Sequence, residues 1–310
     1  MTVVGSALPL VSVGVPLYRS RRFLDTIIEN LDAFEYENLE VIVSDRHLLD
    51  DTLETLRRRY ASDRRFRFLA ASDALNWVEH YNLLLRKARG KYALWFPHDD
   101  SYPSNYISEL VTALEQHPDA VLAFGRVERA SLDGFLPTRP FSPPPVQGGG
   151  GWSLGASLWM LTLWQMWCAF RGMVRREVVE QSDLYIRQTR GNVRADIYWT
   201  FALSLRGRLL FVPSCVCTKR FHQTSTGAQW RFSVPEGVNA CRVLRTYLHD
   251  FARSRRDAVL GQLVLFPWCM AHALLPRALG RRLRDLYEMG RATARPDPGE
   301  LSRGCYVTED

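Results

Sequence analysis

The sequence lacks most of the signatures that would place it at once. None of its six cysteines (Cys168, Cys215, Cys217, Cys241, Cys269 and Cys305) falls in a C-x-x-C pair. The lone C-x-C of Cys215 and Cys217 falls short of a zinc pattern, and scattered thiols point to reduced cysteines in a cytoplasmic protein. No run of about 20 apolar residues occurs, which argues against a spanning helix. The opening MTVVGSALPLVSVGVP has no basic stretch ahead of its apolar residues and is broken by proline, so it reads as a first strand and not a signal peptide. Zinc-finger, homeodomain and RNA-binding signatures are absent, so nucleic acid is not the expected partner. GVPLYRSRR, after the first strand, is not the glycine- and lysine-rich phosphate loop that nucleotidyl transfer would want.

What is present is an ordinary globular composition, 46% apolar and 24% charged, with an excess of base. A formal charge of +7 suits an anionic partner such as nucleotide phosphates or membrane headgroups. At 310 residues there is room for one large domain, or for a domain and a smaller lobe. Strand-like and helix-like patterns alternate four times: strands at 11–18, 39–45, 65–70, 91–97 and 120–130, helices at 21–34, 50–62, 76–90 and 106–119. That order predicts an α/β fold with a mostly parallel sheet flanked by helices, whose ligands sit at the carboxyl ends of the strands. Pro16, Asp45, Asp99 and Asp100 then share one edge, because each follows or ends a strand.

ALWFPHDDSYP (93–103) drives an apolar strand into two adjacent carboxylates beside His98. Each raises the other's proton affinity, so either solvent disperses them or a cation compensates them. Beyond residue 131 the pattern breaks. PTRPFSPPPVQGGGG (137–151) reads as a mobile connection, and the tryptophan-rich 152–167 as core packing or an acceptor groove. The stretch 193–213 is a helix carrying Asp196 near its start, then a strand, with a polar loop at 219–227. LYIRQ (184–188) looks strand-like. The arginines of RGMVRR (171–176) are expected to face solvent.

Four pieces in order resemble glycosyltransferase family 2, the inverting nucleotide-sugar enzymes of GT-A fold. They are PLVSVGVPLYRSRRFLDTIIENL, YENLEVIVSD, NLLLRKARGKYALWFPHDD and ADIYWTFALSLRGRLLFVP. The resemblance spans roughly 9–227 and implies a Rossmann-like catalytic domain over 1–227, followed by a C-terminal helical extension over 228–310 with a loose tail. It departs from the family at His98, which stands where the D-x-D motif has its first acid, and at Ala195, where another acid often precedes the base.

The resemblance implies a donor site in which Pro16 and Tyr18 shape the first turn, Asp45 accepts from a base or ribose, and Asn76 and Asp99 contact the nucleotide sugar. Asp100 is the leading ligand for a divalent metal, Mn2+ or Mg2+, with Asp99 and His222 beside it. His98, a nitrogen donor, favours manganese. Lys219 and Arg220 offer charge to phosphate oxygens. Asp196 is the catalytic base, its pKa lowered by the helix N-terminus. Plainer roles stay open: a core tyrosine at 18, a cap at Asp45 (which Asp50 or Asp51 would fill better), a cap at Asp196, and a surface histidine at 222.

The implied reaction moves a sugar from a nucleoside-diphosphate sugar to a glycan, a lipid-linked acceptor or a small-molecule hydroxyl, as in polysaccharide or glycoconjugate biosynthesis. A non-catalytic nucleotide-sugar scaffold and a nucleotidyltransferase are the alternatives; the first would bind without turnover and the second would release pyrophosphate. The segment 259–286 mixes apolar residues with a basic end. It suits either packing on the domain or peripheral contact with the inner face of a membrane.

Overall fold

A computed structural model describes residues 8–47, 49–133, 154–162, 166–225 and 233–274. Seven strands form one sheet in the order β3-β2-β1-β4-β6-β5-β7. They are β1 (Val11–Leu17), β2 (Leu39–Asp45), β3 (Phe66–Ala70), β4 (Tyr92–Trp95), β5 (Ala120–Ser131), β6 (Met173–Arg175) and β7 (Arg208–Phe221). Helices α1 (Leu24–Ala33), α2 (Thr52–Arg59), α3 (Trp77–Lys87) and α4 (Tyr106–Gln116) connect the first five strands. After β5 come α5 (Leu154–Thr162), α6 (Met166–Ala169), α7 (Arg176–Ser182) and α8 (Ala195–Arg206), then α9 (Val234–Phe251) and α10 (Arg255–Leu274).

The parallel neighbours are β1–β2, β1–β4, β2–β3 and β5–β7, while β6 runs antiparallel between β4 and β5. This is the mostly parallel α/β sheet that the alternation predicts. The central strands β1, β2 and β4 are buried at every position, because helices cover both faces. Pro16 lies inside β1, in register with Ser44. Pairing with β4 has already ended at Gly14–Trp95, so the missing N–H costs that ladder nothing.

Three expectations need correcting. LYIRQ is not a strand: Asn82 takes both polar groups of Ile186, accepting from its N–H at 2.9 Å and donating to its carbonyl at 2.8 Å. The polar loop expected from 219 begins later, since β7 continues to Phe221 beside β5. Arg171 and Arg175 do not face solvent, being only 6% and 8% exposed. Arg175 donates to the carbonyls of Ala120 and Leu114 and to the Tyr92 hydroxyl, which replace its lost hydration. The connection 137–151 and the tail lie outside the described residues.

The C-terminal helices are fastened to this body. The Tyr247 hydroxyl on α9 accepts from the Arg187 N–H at 2.8 Å, and Asp250 pairs with Arg187 at 2.6 Å. No helix among the described residues is long and apolar enough to cross a membrane.

Candidate active site

The acid pair lies just past β4, where the chain leaves the sheet's carboxyl edge. Each carboxylate has its own partner. Asp100 is fully buried and accepts from Arg171 Nε at 2.9 Å, with the Arg220 N–H at 3.3 Å and Lys219 Nζ at 3.9 Å on its other oxygen. Asp99 faces His222, whose Nε2 is 3.1 Å from Oδ2. Burial alone would raise the Asp99 carboxyl, but the hydrogen bond from His222 and the charge of Lys219 reverse that and hold it well below its ordinary value. The adjacent like charges are therefore compensated by the protein itself.

Arg171 reaches Asp100 because Gly172 brings the start of β6 hard against β5. A Cβ at residue 172 would lie 2.3 Å from the Ala123 carbonyl oxygen. The Tyr106 hydroxyl donates to the Arg171 carbonyl at 2.9 Å, and Arg171 Nη1 donates to Trp167 O. The sequence alone did not reveal this arginine.

His222 is fixed from behind. Arg22, in the 3-10 turn Arg21–Phe23 after β1, places Nη2 2.7 Å from His222 Nδ1. An arginine only donates, so Nδ1 accepts and Nε2 carries the proton towards Asp99. Phe23 packs under this group, with the His98 and His222 rings at 4.7 and 5.3 Å and the Arg22 guanidinium at 4.5 Å. His98 Nδ1 lies 2.7 Å from Ser20 Oγ, which also accepts from the Tyr18 N–H. Burial lowers the His98 pKa and keeps the ring neutral.

Asp45 ends β2, fully buried. Its Oδ1 accepts from the His47 N–H at 2.8 Å, while Oδ2 is buried with no partner. Burial, helped by Asp50, raises its pKa. It does not cap α2; Asp50 accepts from the Thr52 N–H at 3.0 Å instead. Tyr18 is exposed rather than in the core, and the Arg46 guanidinium lies 3.7 Å from its ring centroid. Arg46 Nη1 donates to Leu75 O, which holds the cation over the ring.

Asn76 opens α3 as its cap. Its Oδ1 accepts from the Val78 and Glu79 N–H groups while Glu79 reaches back to Asn76 N and Nδ2. These bonds account for the side chain without a ligand. Asn76→Ala should lower stability by about 1 kcal/mol, read by urea unfolding, whereas nucleotide affinity should hold within about twofold if capping is its whole role.

Asp196 sits in the first turn of α8. The backbone ahead of it is unusual: Gly191, Asn192 and Arg194 all adopt positive φ. Such strain persists where the surroundings over-determine it, often at functional sites. Asp196 Oδ1 is buried without a hydrogen-bond partner. The expected lowering of its pKa is overturned. Burial raises it, outweighing the Ile197 N–H and the charges of Arg171 and Lys219. At this helix start, desolvation defeats the dipole.

Tyr81 joins the two halves of the edge. Its ring lies 5.4 Å from Trp95 and 5.7 Å from Phe170. Burial and the charges of Asp99 and Asp100 raise its pKa, and Asp196 and Arg171 act on the same hydroxyl. Tyr81 is also coupled electrostatically to Arg46 on the Asp45 side. Sequence reasoning missed Tyr81 and Arg22. The arginine had a usable signal, since it follows a first strand whose carboxyl end is where anions bind.

The arrangement thus combines two carboxylates already held by Arg171 and His222, basic groups at Arg22, Lys219 and Arg220, and an acid on α8 with one unpartnered oxygen. It can take a polyanion at the basic groups and a proton at Asp196. Among the described residues no group of three or more His, Cys, Asp or Glu side chains could hold a metal. Asp100, expected as the leading metal ligand, has Arg171 on Oδ2, with Arg220 and Lys219 beside Oδ1. Asp99 and His222 remain as a two-ligand set. Turning Nε2 to a cation would put the ring proton on Nδ1, where Thr224 Oγ1 at 3.0 Å can accept it, and would require Arg22 Nη2 to move off Nδ1. That set fits a Mn2+ or Mg2+ ion completed by phosphate oxygens.

Comparison with known proteins bears on the same edge. An uncharacterized glycosyltransferase of Haemophilus influenzae is 32% identical over 117 residues, 38% of this chain and 36% of that protein. Glycosyltransferase GlyG of Streptococcus pneumoniae is 28% identical over 116 residues, 37% of this chain and 38% of its own. These matches span little more than a third of either relative. Among solved structures, Staphylococcus aureus TarS 1–349 in complex with UDP-GlcNAc superposes with a TM-score of 0.66 at 12% identity, over 85% of this chain and 73% of that one. Mannosyltransferase PcManGT from Pyrobaculum calidifontis, in complex with GDP-Man and Mn2+, gives 0.51 at 16% identity, over 94% and 82%. At such identities the likeness establishes the fold, which is GT-A. The Glycosyl transferase family 2 model matches residues 12–181. That match runs from inside β1 nearly to the end of α7 and takes in the whole strand edge bearing Asp45, Asp99 and Asp100, and on that extent the chain belongs to glycosyl transferase family 2.

Proposed function

We propose that the protein transfers a sugar, with inversion, from a nucleoside-diphosphate sugar to an acceptor hydroxyl. The observation that carries this reading is Asp196. It is a half-buried residue whose Oδ1 is buried without a hydrogen-bond partner, within electrostatic reach of the Arg171 and Lys219 cations that border the acid pair. Inversion needs one base on the acceptor side and no protein nucleophile, and Asp196 provides that base. Residues 1–227 form the catalytic unit and 228–310 an extension.

The chain's own groups divide the work. Asp45, with its free Oδ2, accepts from the base or ribose, and Tyr18 under Arg46 offers a face for stacking. Lys219, Arg220 and Arg22 draw the diphosphate to the strand edge and stabilise the charge that builds on it as the sugar leaves. A divalent cation held by Asp99 and His222 would add Lewis-acid stabilisation of the same charge. Asp196 takes the acceptor proton. The acceptor class stays as wide as the sequence left it: a glycan, a lipid-linked sugar or a small molecule.

Calorimetric titration with uridine, guanosine and thymidine diphosphates, each with and without Mn2+, tests the donor half. One nucleotide should bind, and Mn2+ should tighten it. Asp99→Asn should remove the Mn2+ enhancement, a loss of about tenfold or more, while Asp100→Asn should keep it. If Asp100→Asn alone abolished the Mn2+ effect, the ligand assignment would be reversed.

A further inference from the structure

Helix α10 packs on α9 through one narrow stripe. Leu265 is 4% exposed, and a Cβ at Gly261 would come within 2.7 Å of Leu248 Cδ2. The opposite side is apolar and open. Val259, Leu260, Leu263, Val264 and Phe266 are all exposed, Leu263 and Phe266 at 65%. At about 100° per residue these five cover an arc of about 160° centred away from the Gly261–Leu265 stripe. Arg256 lies one turn earlier on the same face, with Arg255 at one border and Asp257 at the other; both arginines are exposed and Asp257 is half-buried.

A contiguous apolar face of this kind marks an interaction site. Its chemistry selects the occupant. The five-residue stripe contains no acid, and a second copy laid against it would bring only the bordering Asp257 against the charges of Arg255 and Arg256. The sequence just beyond continues basic, with Arg277, Arg281, Arg282 and Arg284 against Asp285 within 275–286. An apolar stripe bordered by arginines, on a helix that cannot cross a membrane, matches an anionic bilayer surface. We infer that α10 docks flat on an anionic lipid surface, with Leu263 and Phe266 in the acyl boundary and Arg255 and Arg256 at the headgroups. This inference does not depend on the sugar-transfer reading, and its test does not measure transfer.

Full-length protein is sedimented with vesicles containing phosphatidylglycerol and with vesicles of pure phosphatidylcholine. Binding is expected to the first, weakening at high salt and on phosphatidylcholine. Arg255→Gln with Arg256→Gln should weaken it roughly 25-fold, at about fivefold per arginine. Leu263→Glu with Phe266→Glu should abolish it, with the melting temperature and oligomeric state unchanged. Equal binding to both vesicle types, or binding that survives the Leu263/Phe266 pair, overturns the inference. So does a dimer that this pair converts to monomer, which would give the face to a second copy. Should the glutamate pair fail to fold, the glutamine pair and the salt series on the unaltered protein decide the matter by themselves.

Discussion

Asp196→Asn should reduce transfer by about 10²–10⁴-fold while leaving the affinity for the nucleoside diphosphate unchanged. The amide keeps the shape and the helix position but cannot accept the acceptor's proton. The nucleotide contacts assigned to Asp45, Tyr18, Asp99 and the basic groups lie on or just after β1, β2, β4 and β7, not on α8. Steady-state rates and a nucleotide titration on the same preparation check both halves. Transfer at the native rate would remove Asp196 from the mechanism.

The pH profile sharpens this test. Asp196 works only when ionised, and burial raises its pKa above the ordinary carboxylate value. Activity should therefore fall on the acid side at a higher pH than an ordinary aspartate would give. Lys219 pulls that pKa down, so Lys219→Gln should move the acid limb higher still. In Asp196→Asn the limb should disappear from whatever rate remains.

Arg171→Met should be the most destabilising single change at the site. It leaves the fully buried Asp100 carboxylate beside Asp99 with only the Arg220 N–H at 3.3 Å and the Lys219 charge at 3.9 Å. Breaking a buried ion pair on one side costs about 3–5 kcal/mol, because the remaining charge has lost its partner. For a chain of this size that corresponds to a melting temperature lower by roughly 10 °C. Adding Asp100→Asn to Arg171→Met should recover part of the loss by removing the unpaired charge, which two independent sites would not do. Arg171→Lys should fall between, since it keeps the charge and loses the fork geometry. A melting temperature for Arg171→Met within a degree or two of the native one would contradict the pairing.

What the sequence revealed and what it hid separate along physical lines. The helices and strands up to β5 were legible because apolar periods of about 3.6 and 2 residues reflect one-sided or full burial. Asp45 and the 99–100 pair stand out in the sequence because strands ending in acids have no structural reason to do so, and the structure places all three, buried, at the sheet's carboxyl edge. Strand β6 was not: three residues carry no period, and the strand exists because Gly172 permits a close approach to β5. With β6 hidden, Arg171 was hidden too. Arginine side chains read as solvated unless their partners are known, and those of Arg171 and Arg175 come from segments far away in the chain. Asp100 was favoured over Asp99 on motif position, whereas the distances to Arg171 and His222 separate their roles. The pKa of Asp196 went the other way from expectation because burial is a property of the tertiary surroundings, while a helix start can be read locally.

The central claim is inverting transfer from a nucleoside-diphosphate sugar. It is tested most directly by incubating the protein with Mn2+ and a panel of α-linked nucleotide sugars, using proton NMR to follow donor hydrolysis before the released sugar mutarotates. Release of the β-anomer first, from at least one donor, together with the nucleoside diphosphate, is the predicted result. First appearance of the α-anomer, or an intact panel despite tight nucleotide binding, would contradict it.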